Sequence, residues 1–155
     1  MLDPNDFKQA MSRFPSGVTV ITARHEGETH GMTASAFISV SLNPPLVLES
    51  VAKKARMHEI LMNASHYGVS ILRQDQAEHS NHFAGFGRED FEAVFMELHN
   101  MPLIEGAVAY VVCKIVDRHE AGDHTLFIGE VEAAQIAEGE PLLYFKRQYG
   151  VFKAQ

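Results

Sequence analysis

Gly31-Met32-Thr33-Ala34-Ser35-Ala36-Phe37-Ile38-Ser39-Val40-Ser41-Leu42-Asn43-Pro44-Pro45 is the stretch on which the fold turns. Side chains on a strand alternate faces with period 2. One face then carries Ala34, Ala36, Ile38, Val40 and Leu42, wholly apolar and suited to a core. The other carries Thr33, Ser35, Phe37, Ser39 and Ser41: hydroxyls around one aromatic ring, with no Lys, Glu or Arg. Two readings follow. The hydroxyls face water on a half-buried strand, or they form a neutral, donor-rich wall for a polar ligand with a flat ring, since a hydroxyl both donates and accepts. Gly31 would let the backbone come close to such a ligand. Asn43-Pro44-Pro45 ends the strand, because proline cannot donate to a ladder.

Working outward, the chain of 155 residues fits one domain over residues 1–155 and can bury a core. With 46% hydrophobic and 21% charged residues it is globular. A net charge of -7 argues against a nucleic-acid partner but is compatible with a small anion held by local cations. Cys113 is the only cysteine, so no intrachain disulfide or cysteine zinc cluster can form. Met1-Leu2-Asp3-Pro4 is not a signal peptide and no apolar run is long enough to span a membrane, so a cytoplasmic protein with no membrane partner is expected.

Before the stretch, Asp3 and Pro4 start a helix whose apolar face is Phe7, Ala10, Met11 and Phe14. Val18 to Ala23 reads as a strand, and His25 to His30 as a turn. After it, Leu46 to Val51 is a strand. Lys53, Lys54 and Arg56 follow it directly, either as a solvated helix start or as a phosphate clasp. Met57, Ile60, Leu61 and Ala64 give the next helix its apolar face. Tyr67 to Leu72 is a strand, and Asp75 caps a short helix running to about Phe83.

Within that helix His79 and His82 share a face, but no third ligand accompanies them, so they read as surface histidines and no metal is expected. Gly85-Phe86-Gly87-Arg88 lacks the third glycine and the preceding strand of a dinucleotide fingerprint. Pro102 to Gly106 reads as a turn, Ala107 to Val116 as a buried strand, and Asp117 to Gly122 as a polar loop or hairpin turn. His124 beside Gly122-Asp123 either reaches into a cleft or caps a turn. Thr125 to Val131, Pro141 to Phe145 and Val151-Phe152 read as strands, with a turn at Arg147 to Gly150. Seven or eight strands with two or three short helices, not alternating, predict a mainly β fold: an antiparallel barrel with helices at its ends.

The order of these motifs resembles the short-chain flavin reductases, the split-barrel reductase components of two-component monooxygenases. Gly31 to Leu46 is similar to that family's flavin-binding signature, Phe83-Ala84-Gly85 to its Phe-Ala-Gly segment, and Gly122-Asp123-His124 to its Gly-Asp-His motif. Phe7 to Thr22 is similar to its opening helix and strand, and Pro141 to Gly150 to its closing strand. The resemblance implies a split antiparallel Greek-key β-barrel that binds FMN, or FAD, and uses NADH or NADPH as co-substrate. It implies a homodimer that hands reduced flavin to an oxygenase component. Residues implied at the flavin are Met32, Thr33, Ala34, Ser35, Ser39, Ser50, Val51, Phe83 and Gly85, with Lys53, Lys54 and Arg56 where the family usually has hydroxyls for the flavin phosphate. His124 is implied at the nicotinamide, as the residue that positions it for catalysis, and Tyr149 in the same pocket. The alternatives are a flavin-holding sensor or store, and an oxidase of the pyridoxamine-phosphate type.

Overall fold

The structure is a computed structural model that describes residues 1–155. Twelve strands and three short helices follow in the order α1 (Pro4–Met11), β1 (Ser16–Gly17), β2 (Thr19–His25), β3 (Glu28–Ala34), β4 (Phe37–Leu42), β5 (Pro45–Ala52), α2 (Arg56–Asn63), β6 (His66–Ile71), α3 (Ala77–Phe83), β7 (Phe95–Leu98), β8 (Met101–Ile104), β9 (Ala109–Ala121), β10 (His124–Ile136), β11 (Leu142–Phe145) and β12 (Gln148–Val151). The protein is mainly β, and no helix is long and apolar enough to cross a membrane.

Seven strands form one antiparallel sheet in the order β3-β2-β6-β9-β10-β5-β4. Its hydrogen-bonded ladder is open, with β3 and β4 as its two edges. Yet these edges are joined by only Ser35 and Ala36. Three chain steps span at most about 11 Å, so Ala34 and Phe37 must be near neighbours and the sheet must curl on itself at that end. Inside the curl, Val47, Glu49 and Val51 of β5 alternate with half-buried neighbours, as the period of a strand requires. They meet Ile21, Tyr67, Val69, Phe127 and the buried face of α2 (Met57, Ile60, Leu61). Arg118 closes the C-terminal end of α2 by donating to the carbonyls of Ala64 at 2.7 Å and Leu61 at 3.1 Å. A small sheet of β1, β11 and β12 and the β7–β8 hairpin complete the fold.

Several expectations need correction. The stretch from Gly31 to Pro45 is two strands, not one, because the chain turns at Ser35-Ala36 from one sheet edge to the other. The supposed core face fails with it: Ile38, Val40 and Leu42 are exposed on edge strand β4, where a bulge between Ser39 and Ser41 also breaks the alternation. The expected turn at Pro102 to Gly106 begins as strand β8, fully buried against β7 and the neighbouring sheet. Of Asp117 to Gly122, expected as a polar loop or hairpin turn, only Gly122 belongs to the hairpin turn; Asp117 to Ala121 continue β9, since Ala121 still pairs with His124. The last hairpin turns at Lys146-Arg147 with both φ positive, so Gln148–Val151 is a strand. Asp75 does not cap α3; its carboxylate is taken by the Arg73 guanidinium at 2.7 and 2.9 Å.

Candidate functional site

The end of β3 is fastened from two sides. Thr33 Oγ1 donates to the carbonyl of Ser80 at 2.6 Å, which docks α3 onto the strand. Thr19 Oγ1, on the neighbouring β2, donates to the carbonyl of Ala34 at 2.7 Å. Tyr149 then locks α3 from β12: its hydroxyl donates to Asn81 Oδ1 at 2.9 Å and lies 2.7 Å from Ser80 Oγ. A phenol has one proton, so Ser80 must be the donor in the second bond. The cleft enclosed here, about 300 Å³, brings Thr33, Ala34 and Ser35 together with Asn81, Arg147 and Tyr149.

A second groove of about 280 Å³ continues past Ala84 and is lined by Gly31, Met32, Arg56, Phe83 and Gly85. Gly31 is where the backbone is approached closely, but by Phe83: a Cβ there would stand 2.7 Å from the ring. The absence of a side chain therefore seats Phe83 against the strand. A third recess of about 280 Å³ holds Ala52, Lys53, Lys54, Asp123 and His124. It forms because His124 opens β10 directly opposite Ala52 at the end of β5. Ser50 and Val51 pair with Leu126 and Thr125 just behind it.

Lys53, Asp123 and His124 in this recess are already partnered. Lys53 Nζ meets Glu120 at 3.0 Å, and that contact holds the Glu120 carboxyl below its usual range. His124 Nδ1 lies 2.7 Å from Asp123 Oδ1, which lowers the Asp123 carboxyl likewise. The His124 ring is half-exposed and its Nε2 is left to the recess. The predicted clasp is thus divided: Lys53 and Lys54 stand beside His124, whereas Arg56 stands in the groove with Met32. Ser39 lines none of these hollows and lies exposed on β4. The pair His79 and His82 packs edge-on against Phe91 and Phe83, and burial lowers the His79 pKa, so both act in aromatic packing.

Sequence reasoning missed Ser80, Asn81 and Arg147, which carry no local signal and acquire a place only when α3 and β12 meet β3. It also missed Glu49. This side chain is fully buried within the curl of the sheet; Thr19 Oγ1 reaches its Oε1 at 3.4 Å, while Oε2 has no partner. Burial raises its pKa well above the ordinary carboxylate value, which favours the neutral acid at this position. The signal was available, since Glu49 is the one charged residue in the strand Leu46 to Val51.

Comparison with known proteins bears on this arrangement. A family model described as the flavin reductase like domain matches residues 11–153. An NADH-dependent flavin reductase of a Rhodococcus species is 43% identical over 145 residues, covering 92% of this chain and 82% of the relative. The reductase component of a 4-hydroxyphenylacetate 3-monooxygenase of Thermus thermophilus is 42% identical over 144 residues, covering 92% and 93% of the two chains. Among solved structures, a flavin reductase, PheA2, in its native state superposes with a TM-score of 0.96 at 46% identity, covering 99% of this chain and all of that one.

Proposed function

The chain belongs to the flavin reductase like family, and on that premise we propose that it transfers hydride from NADH to a flavin, FMN or FAD, and releases reduced flavin to a partner monooxygenase. The observation that carries this reading is the joining of the signature residues Met32 to Ser35 to two adjoining grooves at the docked end of α3. The donor set there suits a flavin. The Ser35 hydroxyl matches the polar edge of its ring, the Thr33 hydroxyl being engaged with the Ser80 carbonyl; Met32 and Phe83 match the flat face, and Arg56 matches an anionic tail. When bound, flavin supplies the two-electron acceptor that no side chain of this protein can supply.

The remaining work falls to the chain. Met32, Thr33, Ala34, Ser35, Ser50, Val51, Phe83 and Gly85 hold and orient the flavin. Arg56, in the groove with Met32 and Phe83, faces its phosphate. His124, aimed by Asp123, orients the nicotinamide, and Tyr149 keeps α3 in place beside the signature. Preorganised donors on the polar edge of the ring favour the negative charge that develops there on reduction.

The curled seven-stranded sheet corresponds in this reading to a split barrel, and the protomer pairs as a homodimer. Helix α1 buries none of its residues and exposes Phe7 and Met11, with Phe14 just beyond it; β4 exposes Ile38, Val40 and Leu42. Two such faces call for a cover. A cytoplasmic location is part of the same reading, because an NADH-dependent reductase needs that co-substrate at hand. The test is NADH oxidation followed at 340 nm, first without flavin and then with FMN, FAD or riboflavin. Turnover that depends on added flavin supports a reductase supplying free reduced flavin. Flavin binding without NADH oxidation would overturn it in favour of a sensor or store.

A further inference from the structure

A separate cleft of about 640 Å³ shares no residue with the grooves described above. In its wall three side chains form a chain of hydrogen bonds. Ser65 Oγ lies 2.8 Å from His66 Nδ1, and His66 Nε2 lies 2.6 Å from Glu132 Oε1. The contact with Glu132 is not a ladder neighbour's contact, because β9 runs between β6, which His66 opens, and β10, which holds Glu132. It arises because the β9–β10 register shifts between Val131 and Ala133, leaving Glu132 as the extra residue of a bulge. A bulge re-aims a side chain, and bulges gather beside active sites. Ser65 is exposed, and its backbone is anchored by the Ile115 N–H, which donates to its carbonyl at 2.8 Å.

We propose that Ser65, His66 and Glu132 form a second reactive centre, which cleaves small polar acyl esters. An ionised carboxylate only accepts, so Glu132 takes the Nε2–H of neutral His66. Nδ1 is then left to accept the Ser65 proton. This is the order nucleophile, base, orienting group that activates a hydroxyl. Ser65 Oγ attacks the acyl carbon while its proton passes to His66 Nδ1. The C–O bond to the leaving alcohol breaks, and that alcohol takes the proton from Nδ1. Water then releases the acid from Ser65 by the same path, regenerating the hydroxyl. Arg24 and Asn100 line the same cleft as donors for the oxyanion. Of its nine lining residues only Ala64 and Met101 are apolar, which favours short polar acyl groups over long alkyl chains.

The other charged groups around His66 are His99, whose Nε2 stands 3.9 Å from the same Glu132 oxygen, Arg24, which reaches Glu97 at 3.3 Å, and Lys114, which is in register with His66 across the ladder. Glu132 acts through His66 and is a positioning residue.

The experiment uses the whole protein with p-nitrophenyl acetate as probe, and reads both phenolate release and the acetylated residue by peptide mass. The expected result is acetyl-Ser65 in the wild type and none at that peptide in Ser65→Ala. Glu132→Gln should acetylate on the order of 100-fold more slowly. The wild-type rate should rise with pH, because only a deprotonated base accepts the Ser65 proton. Flavin-dependent NADH oxidation should be unchanged in both variants. Acetyl groups on lysines alone, a flat pH profile, or a Glu132→Gln protein that folds and reacts at the wild-type rate would each overturn the proposal. The first two outcomes are read on wild-type protein and do not depend on any variant folding.

Discussion

Thr33 and Ser80 lie 47 residues apart in the chain, and a 2.6 Å hydrogen bond from the Thr33 hydroxyl to the Ser80 carbonyl holds them together. The bond joins the signature strand to α3, and Tyr149 closes the same junction from β12. Whatever binds in the adjoining grooves therefore depends on a joint between distant segments.

Thr33→Val keeps the shape of the side chain and removes the donor. A lost hydrogen bond of this kind costs about 1 kcal/mol. Urea unfolding should show a loss of that order. Titration of the apo protein with FMN should show weaker binding as α3 loosens. Tyr149→Phe should act in the same direction through Ser80 and Asn81.

Arg56 and Lys53 should separate in their effects. Arg56 lines the groove with Met32 and Phe83, whereas Lys53 is engaged by Glu120. Arg56→Ala is expected to weaken FMN roughly tenfold, equivalent to about 1.4 kcal/mol, and to leave riboflavin unaffected. Lys53→Ala should change both little. Fluorescence titration with the two flavins checks this, and equal losses for FMN and riboflavin would remove the phosphate role.

His124→Ala should raise the KM for NADH roughly tenfold, with a smaller change in kcat, as expected for a group that orients the co-substrate. Steady-state kinetics at saturating flavin decide it. An unchanged KM means the ring does not meet the nicotinamide.

Glu49 should make stability fall as pH rises. Its folded pKa lies well above its ordinary value of 4.5 because burial opposes the charge. The folded state therefore holds a proton that the unfolded chain releases above that value. Stability is complete below it and declines toward the folded pKa, by up to about 1.4 kcal/mol per pH unit. Glu49→Gln carries no such charge. Urea midpoints at acidic, neutral and alkaline pH should show the variant gaining on the wild type as pH rises, and parallel curves would exclude a neutral acid at this position.

The exposed apolar faces of α1 and β4 predict a dimer at micromolar concentration by light scattering. Phe14→Asp with Ile38→Asp should shift the mass toward the monomer, because each introduces a charge where apolar surface is covered. A wild-type monomer would leave those faces without a cover.

Some of this protein was legible in residue order. Asp3 and Pro4 started a helix, and Met57, Ile60 and Leu61 marked the buried face of α2. Gly27 marked the hairpin after His25, but its turn is only Glu26-Gly27, and Glu28 to His30, expected in the turn, belong to β3. These are decided by neighbours three or four positions away, through capping, periodicity and backbone freedom. The order of motifs also pointed to the family. What only the tertiary structure decided lies at the edges of the sheet. Ser35-Ala36 is a corner between its first and last strands, so Ile38, Val40 and Leu42 face outward although their alternation suited a core. Alternation specifies that two faces differ; it does not say which face meets other strands, because that depends on the curl of the whole sheet. The division of Lys53, Lys54 and Arg56 between two hollows, the place of Asn81 and Arg147, and the isolation of Glu49 follow from the same cause: contacts between residues distant in the chain, on which local propensity has no bearing.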